Sequence, residues 1–340
     1  MRGSIFLISS FVVGFVSLVG CGPGNRMGNG GAGGNDDAGT AGGDLALRGS
    51  DGGGGSPDMA YPGKLFHYVT DNLRFPQAQG EYGFAPNHDG SSHNQLAKVA
   101  LALFQNNLPL QPAEMEAINV DGDSLELLSV ASLDGNLLTD PASFVNLYVA
   151  SAARQPDLSG AGSFTPAPGG KAVLAGNLAG GTFYGADPAN ATAAPTAPLR
   201  IALLSTQRVT LPLVGAHITF TATPSGLMMG QLHGALRKAD LDTLFIATLA
   251  QNLNVIATQP NCAQNADCTN VQNLFDTLPK DGKITAIEVK SSALLSSLLV
   301  PDVALFDAQG KWKPDPQNTT PDSFTIGIGF TAKKATFVEP

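Results

Sequence analysis

The sequence predicts an α+β protein: an antiparallel β-sandwich-like or open-barrel core with flanking helices, set behind a disordered N-terminal tether. Three observations carry this expectation. Short β-branched and apolar runs, divided by Gly, Pro and Asp turns, fill residues 124–236. Helical spacing takes over at Lys238 and yields to a closing strand near Ser323. A glycine-rich stretch from Gly22 to Pro62 has almost nothing to bury. Strands, then helices, then a final strand is an α+β order rather than an alternating βαβ order.

The N-terminus comes first. Arg2 precedes an apolar run from Ile5 to Val19, closed by Leu18-Val19-Gly20-Cys21. The run is short for a spanning helix and has the layout of a cleavable signal. Residues 1–20 are therefore expected to be a lipoprotein signal peptide, with Cys21 the lipidated residue. An uncleaved anchor helix, or a secretory signal cut after Gly20, are the alternatives. Residues 21–62 are expected to be the acylated cysteine and its tether. Glycine loses most entropy on ordering, so such a run stays a coil, reaching about 35 Å. Residues 63–340 then form a single β-rich globular domain with helical segments.

Within that domain, Tyr61 to Pro86 is aromatic-rich and irregular in pattern. His93 to Asn107 has helical spacing in Leu96, Val99, Ala100, Leu103 and Phe104, with Ser91 or Ser92 as the cap. Pro112 to Ile118 is a second, short helix with Pro in its first turn. Ser124–Leu133 and Ser143–Ala152 are strands. Lys171–Tyr184 is a third, broken at Gly176 and at Gly180-Gly181. Leu199–Leu204 and Arg208–Thr223 are strands rich in β-branched residues, and Pro224-Ser225-Gly226 turns the chain so that Leu227–Leu236 pairs back. Lys238–Ala257 carries one apolar stripe through Leu241, Phe245, Leu249 and Leu253. Val271–Leu278 and Thr285–Leu299 follow as helices, and Val303–Phe306 with Ser323–Phe337 as the last strand pair.

Composition bounds the partners. Of 340 residues, 43% are hydrophobic and only 14% charged, with a net charge of −9. No basic cluster is present, which excludes nucleic acid as an expected partner. The expected partner is a membrane, reached through the N-terminal lipid, with a protein or glycan ligand open. Cys262 and Cys268 flank a polar five-residue stretch and are expected to form a disulfide in an oxidising compartment. A metal pair or a redox dithiol are the alternatives, though no further ligand lies nearby and the spacing is not Cys-x-x-Cys.

Candidate chemistry is sparse. Thr277-Leu278-Pro279-Lys280-Asp281-Gly282 running to Glu288 matches the second half of a calcium loop, with Gly282 at the turn and Glu288 as closing ligand. Thr277 and Pro279 stand where acidic ligands belong, so Asp281 and Glu288 make a degenerate metal site beside the plain alternative of a helix-loop-helix turn. His88, Asp89 and His93 are a second possible chelate, at a spacing that suits neither a helix nor a strand face. Asp121-Gly122-Asp123 is a third acidic turn. Ser225 lacks the Gly-x-Ser-x-Gly frame of a nucleophile elbow. Among the histidines, His67, His88, His93, His217 and His233, the strand residues His217 and His233 are the available bases, with a hydrogen-bonded structural role as the alternative. Trp312 sits in a turn-rich stretch and is expected to be exposed.

Three stretches together resemble a family of uncharacterised lipoproteins of myxobacteria and related Gram-negative bacteria. They are Asp89-Gly90 to Asn94-Gln95-Leu96-Ala97, Asp281-Gly282-Lys283-Ile284 through Glu288 to Leu298-Leu299-Val300-Pro301-Asp302-Val303, and Asp322-Ser323-Phe324 to Gly327-Ile328-Gly329-Phe330-Thr331-Ala332. The resemblance covers most of the chain after the tether and implies no activity. A calcium-binding relative would carry more acidic versions of both Asp-Gly turns, from which this chain departs at Ser91, Ser92, Thr277 and Pro279.

The expectation is a lipid-anchored, extracytoplasmic envelope lipoprotein with a binding or structural role and no identified catalytic or cofactor-binding residue. Gly22, rather than Asp, follows the lipidated cysteine, which points to the outer membrane. The alternatives are a hydrolase whose site is assembled from distant residues, and a module stabilised by calcium.

Overall fold

The computed structural model describes residues 63–88, 91–108, 125–151, 156–168, 171–204, 207–277, 279–317 and 320–338. The segments expected to be signal peptide and tether, with Cys21, the helix expected over Pro112–Ile118, the Asp121-Gly122-Asp123 stretch, Asp89 and Gly90 lie outside these residues.

Period-2 sequence becomes one large antiparallel sheet. Its strands are β1 (Lys64–Arg74), β2 (Glu126–Ser132), β3 (Thr139–Asp140), β4 (Phe144–Val149), β6 (Ala172–Ala179), β7 (Thr182–Gly185), β8 (Thr196–Leu203), β9 (Gln207–Thr223), β10 (Gly226–Arg237) and β11 (Ser323–Lys334). They run in the order β10-β11-β1-β2-β4-β6-β7-β9-β8, with β3 beside β6 and β9 also pairing with β10. The hydrogen-bond path thus returns on itself at the β9–β10 hairpin. Because β8 and β3 branch from that path, the sheet is curled but is not a clean barrel. A separate parallel pair joins β5 (Ser163–Phe164) to β12 (Thr336–Phe337).

The irregular segment expected before Pro86 is instead mostly β1. A bulge explains why its pattern is hard to read: the register with β11 shifts between Thr70 and Asn72. One extra residue flips every following side chain to the other face. Thr70 and Leu73 therefore both line the interior. Gly176 does not break β6; it pairs with Gly185 inside the ladder. Val303–Phe306 is not a strand but makes single bridges, Val303 to Ser323 and Phe306 to Trp312.

The helices flank the sheet. In α1 (Gln95–Gln105), the cap is Asn94, not Ser91 or Ser92: its Oδ1 accepts the Ala97 N–H at 3.3 Å. Lys238–Asp240, a π-helical turn Leu241–Ile246 and α2 (Ala247–Ala257) follow one another, and α2 packs on β8 and β9. The next helix, α3 (Ala266–Phe275), starts earlier than its apolar pattern, capped by Asn265. The run expected over Thr285–Leu299 is helical only in α4 (Ala286–Ser291) and continues as turns.

The sheet interior holds Leu128, Leu147, Phe183, Ile218, Phe220, Leu232, Ile328 and Phe330, all buried. Inside it is a void of about 10 Å³, at the lower edge of what one water needs. A packed interior of this kind has no room for a ligand. Trp312, expected to be exposed, is buried against Val214, Ala235, Val303 and Leu305. Gly215, at φ +62°, makes the space: a Cβ there would lie 3.0 Å from the indole.

Candidate functional site

The calcium-like loop resolves into caps. Glu288 Oε2 accepts from Thr285 N (2.9 Å) and Oγ1 (2.8 Å), while Oε1 accepts from Thr277 N (3.1 Å) and Oγ1 (3.4 Å). With Thr285 Oγ1 accepting the Glu288 N–H, this is a capping box for α4. Burial pushes the Glu288 carboxyl up, but these hydrogen bonds outweigh it and hold it below the usual range. Asp281 Oδ1 accepts the Lys283 N–H at 3.0 Å, an Asx turn, and the Gly282 N–H goes to Asp276 at 2.9 Å. Both named carboxylates thus organise backbone.

His88 and His93 take different acids. His88 Nε2 is 2.8 Å from Asp187, and His93 Nδ1 is 3.7 Å from Asp302. Among the described residues no three His, Cys, Asp or Glu side chains gather as a metal site.

His217 and His233 face each other across the β9–β10 ladder on the outer face of the sheet. The Glu81–His88 segment lies over them. Phe84 stacks on both rings, with centroids 4.7 Å from His217 and 5.3 Å from His233. His233 Nδ1 donates to the Tyr82 carbonyl (2.9 Å), and His217 Nε2 to the Gly185 carbonyl (3.0 Å). Burial, helped by the neighbouring His217, lowers His233 to about 4; burial also lowers His217, against the Gly185 bond and Asp187. Neither ring hydrogen-bonds to a carboxylate, and Ser225 sits at the tip of the β9–β10 hairpin, bonded to Thr223. The base, acid and nucleophile of a hydrolase are not assembled at these histidines.

β11 was shaped for this cover. A Cβ at Gly327 would land on the Tyr82 carbonyl oxygen, and one at Gly329 would lie 2.6 Å from the Tyr82 hydroxyl oxygen. Asn94 completes the seam, donating to Gly327 O (3.0 Å) and accepting from Gly327 N (3.2 Å). These glycines alternate with Ile326, Ile328 and Phe330, so β11 is buried on both faces.

Cys262 and Cys268 form the expected disulfide, with Cα atoms 5.1 Å apart. It closes the turn between α2 and α3, and Cys268 is fully buried.

One group that sequence reasoning did not single out is Glu126 on β2. It is 2% exposed. Its Oε1 accepts the Arg200 backbone N–H at 2.7 Å, and its Oε2 has no partner. Burial pushes its carboxyl well above the usual range, against the Arg200 hydrogen bond and charge. A lone acid within Leu125-Glu126-Leu127-Leu128 was the available signal. Arg200 lines a groove of about 510 Å³, and Lys171 is also in its lining. The two cations are distant in sequence, and the packing of β8 against β6 puts both on this groove.

No known family, curated protein or solved structure matches this chain. Among the described residues no helix is long and apolar enough to cross a membrane.

Proposed function

We propose that this chain is an extracytoplasmic envelope lipoprotein, held by lipid on Cys21, whose folded domain binds a ligand or supports the envelope. The observation that carries the reading is Leu18-Val19-Gly20-Cys21 at the end of an apolar run, followed directly by a glycine-rich stretch. The Cys262–Cys268 disulfide supports it, because such bonds persist outside the reducing cytosol. Gly22 favours the outer membrane over inner-membrane retention. The carbonyl-bonded, ring-stacked setting of His217 and His233 counts against them as bases of a hydrolase.

Lipid on cysteine contributes about 0.8 kcal/mol per buried CH₂, so several acyl chains hold a protein firmly while one does not. Cys21→Ala therefore tests the reading. Wild-type chain is expected in the membrane fraction, labelled by a fatty-acid analogue and released by detergent but not by salt. The variant is expected to lose the label. A variant that keeps both label and detergent-only release contradicts the anchor.

A further inference from the structure

The groove in front of Arg200 runs against the charge of the whole chain. Acids outnumber bases 28 to 19 in the sequence, yet among the described residues the lining of this groove holds Lys171 and Arg200 and no acid. Neither cation makes a salt bridge among the described residues. The position of Arg200 is fixed from behind. Its backbone N–H, on the edge of β8 turned away from β9, donates to Glu126, and its register partner on β9 is Thr210. Burial pushes the Glu126 carboxyl well above its usual range, so a cancelling charge beneath the guanidinium is disfavoured.

The remaining lining is of two kinds. Thr196 and Thr210 offer hydroxyls, while Val149 and Pro198 offer apolar walls. Pro198 belongs on this edge because it has no N–H to leave unpaired there. The volume of about 510 Å³ falls within the range of small-molecule sites and is far larger than a bare inorganic ion needs. A guanidinium presents a planar fork that matches phosphate oxygens, an ammonium adds a second charge, and hydroxyls complete the donors.

We propose that this groove binds a soluble organic phosphate monoester, its dianion between Lys171 and Arg200 and its apolar body along Val149 and Pro198. The site names a ligand class for the binding role above and rests on that role, but not on the lipid. A soluble ligand is favoured over a lipid headgroup because a chain of net charge −9 is repelled by an anionic bilayer. Glu126 is a positioning residue here, acting through the β8 backbone.

The test is calorimetric titration of the full chain in detergent with n-hexyl phosphate, n-hexanol and inorganic phosphate. Hexyl phosphate is expected to bind, more tightly than inorganic phosphate, and hexanol not at all. Lys171→Ala and Arg200→Ala are each expected to weaken binding about tenfold or more, the loss of one charge-assisted contact. Raised salt is expected to weaken it too. Lys171 is exposed, so its variant reads the site even if Arg200→Ala is misfolded. A flat hexyl phosphate titration overturns the site, as does wild-type affinity in the alanine variants or equal affinity for inorganic phosphate. A lipid anchor inserts into any bilayer, so vesicles are compared in pairs. Arg200-dependent preference for phosphatidylglycerol over phosphatidylcholine vesicles overturns the soluble ligand. Failure of the Cys21 test leaves all these readouts intact, so the two claims fall separately.

Discussion

Two regions of this molecule bury a titratable side chain, and they do so with opposite consequences. Inside the curled sheet, Glu126 is desolvated and its carboxyl is pushed well above the usual range. On the outer face, beneath Phe84, His233 is desolvated and kept unprotonated. In both, burial disfavours the charged form. The lesson is that one physical cause narrows the stable range from both sides, the acid limit set by the outer cover and the alkaline side by the interior.

The acid side gives the largest expected effect. A histidine lowered from 6.5 to about 4 is neutral in the fold and takes a proton on unfolding. Its contribution is fully present above pH 6.5 and is lost as pH falls towards 4. Across that window urea-unfolding free energy is expected to fall by about 3 kcal/mol from His233 alone. His233→Gln is expected to flatten that slope. A variant with the wild-type slope would remove His233 from the comparison.

Gly327→Ala sharpens the same side from the opposite strand. Its Cβ collides with rigid backbone at Tyr82, so the cover must lift or β11 must shift, at a cost of about 2 kcal/mol. The cover is expected to show faster hydrogen exchange at Phe84 N–H, which bonds to His93 O at 2.9 Å. Unchanged exchange there would show that the segment is held elsewhere.

Capping by Glu288 is a smaller effect and an internal contrast. Its carboxyl is lowered, so its contribution is present above the unfolded pKa and lost as pH falls. Glu288→Ala is expected to cost about 1 kcal/mol at pH 7, read by urea unfolding, with the same loss in calcium or chelator. A loss confined to calcium-containing buffer would restore the ligand role.

The interior gives the prediction of opposite sign. A carboxyl raised in the fold contributes fully below its unfolded pKa, and that contribution is lost as pH rises. Glu126→Gln is isosteric and needs no proton, so its melting temperature is expected to exceed wild type at pH 8 and to converge near pH 4. Destabilisation at pH 8 would mean that the ionised carboxylate is the native form.

Parts of this comparison were legible in the sequence. β2 and β4 stand out as Leu- and Val-rich runs, the β9–β10 hairpin by its β-branched residues and Pro-Ser-Gly turn, β11 by alternation, and α1 has an unbroken stripe. β1 was hidden because a bulge at Asp71 breaks its period and Lys64, Asp71 and Arg74 dilute it. Trp312 was read as exposed because its turn chemistry is local, whereas its burial depends on Gly215, far away in sequence. Asn94 and Ser91 are equally good caps on paper; the hydrogen bonds of Asn94 to Gly327 decide between them. Asp281 and Glu288 were found by spacing, but spacing cannot say that both Glu288 oxygens are already bonded to Thr277 and Thr285. The Lys171–Arg200 pair is wholly tertiary.

The claim on which the biological reading rests is the lipid on Cys21, and intact-mass analysis of chain extracted from native membranes tests it most directly. The account predicts a polypeptide that begins at Cys21, heavier than its sequence by a set of acyl chains. A polypeptide that retains Met1, or one that begins at Cys21 with an unmodified thiol, would contradict it.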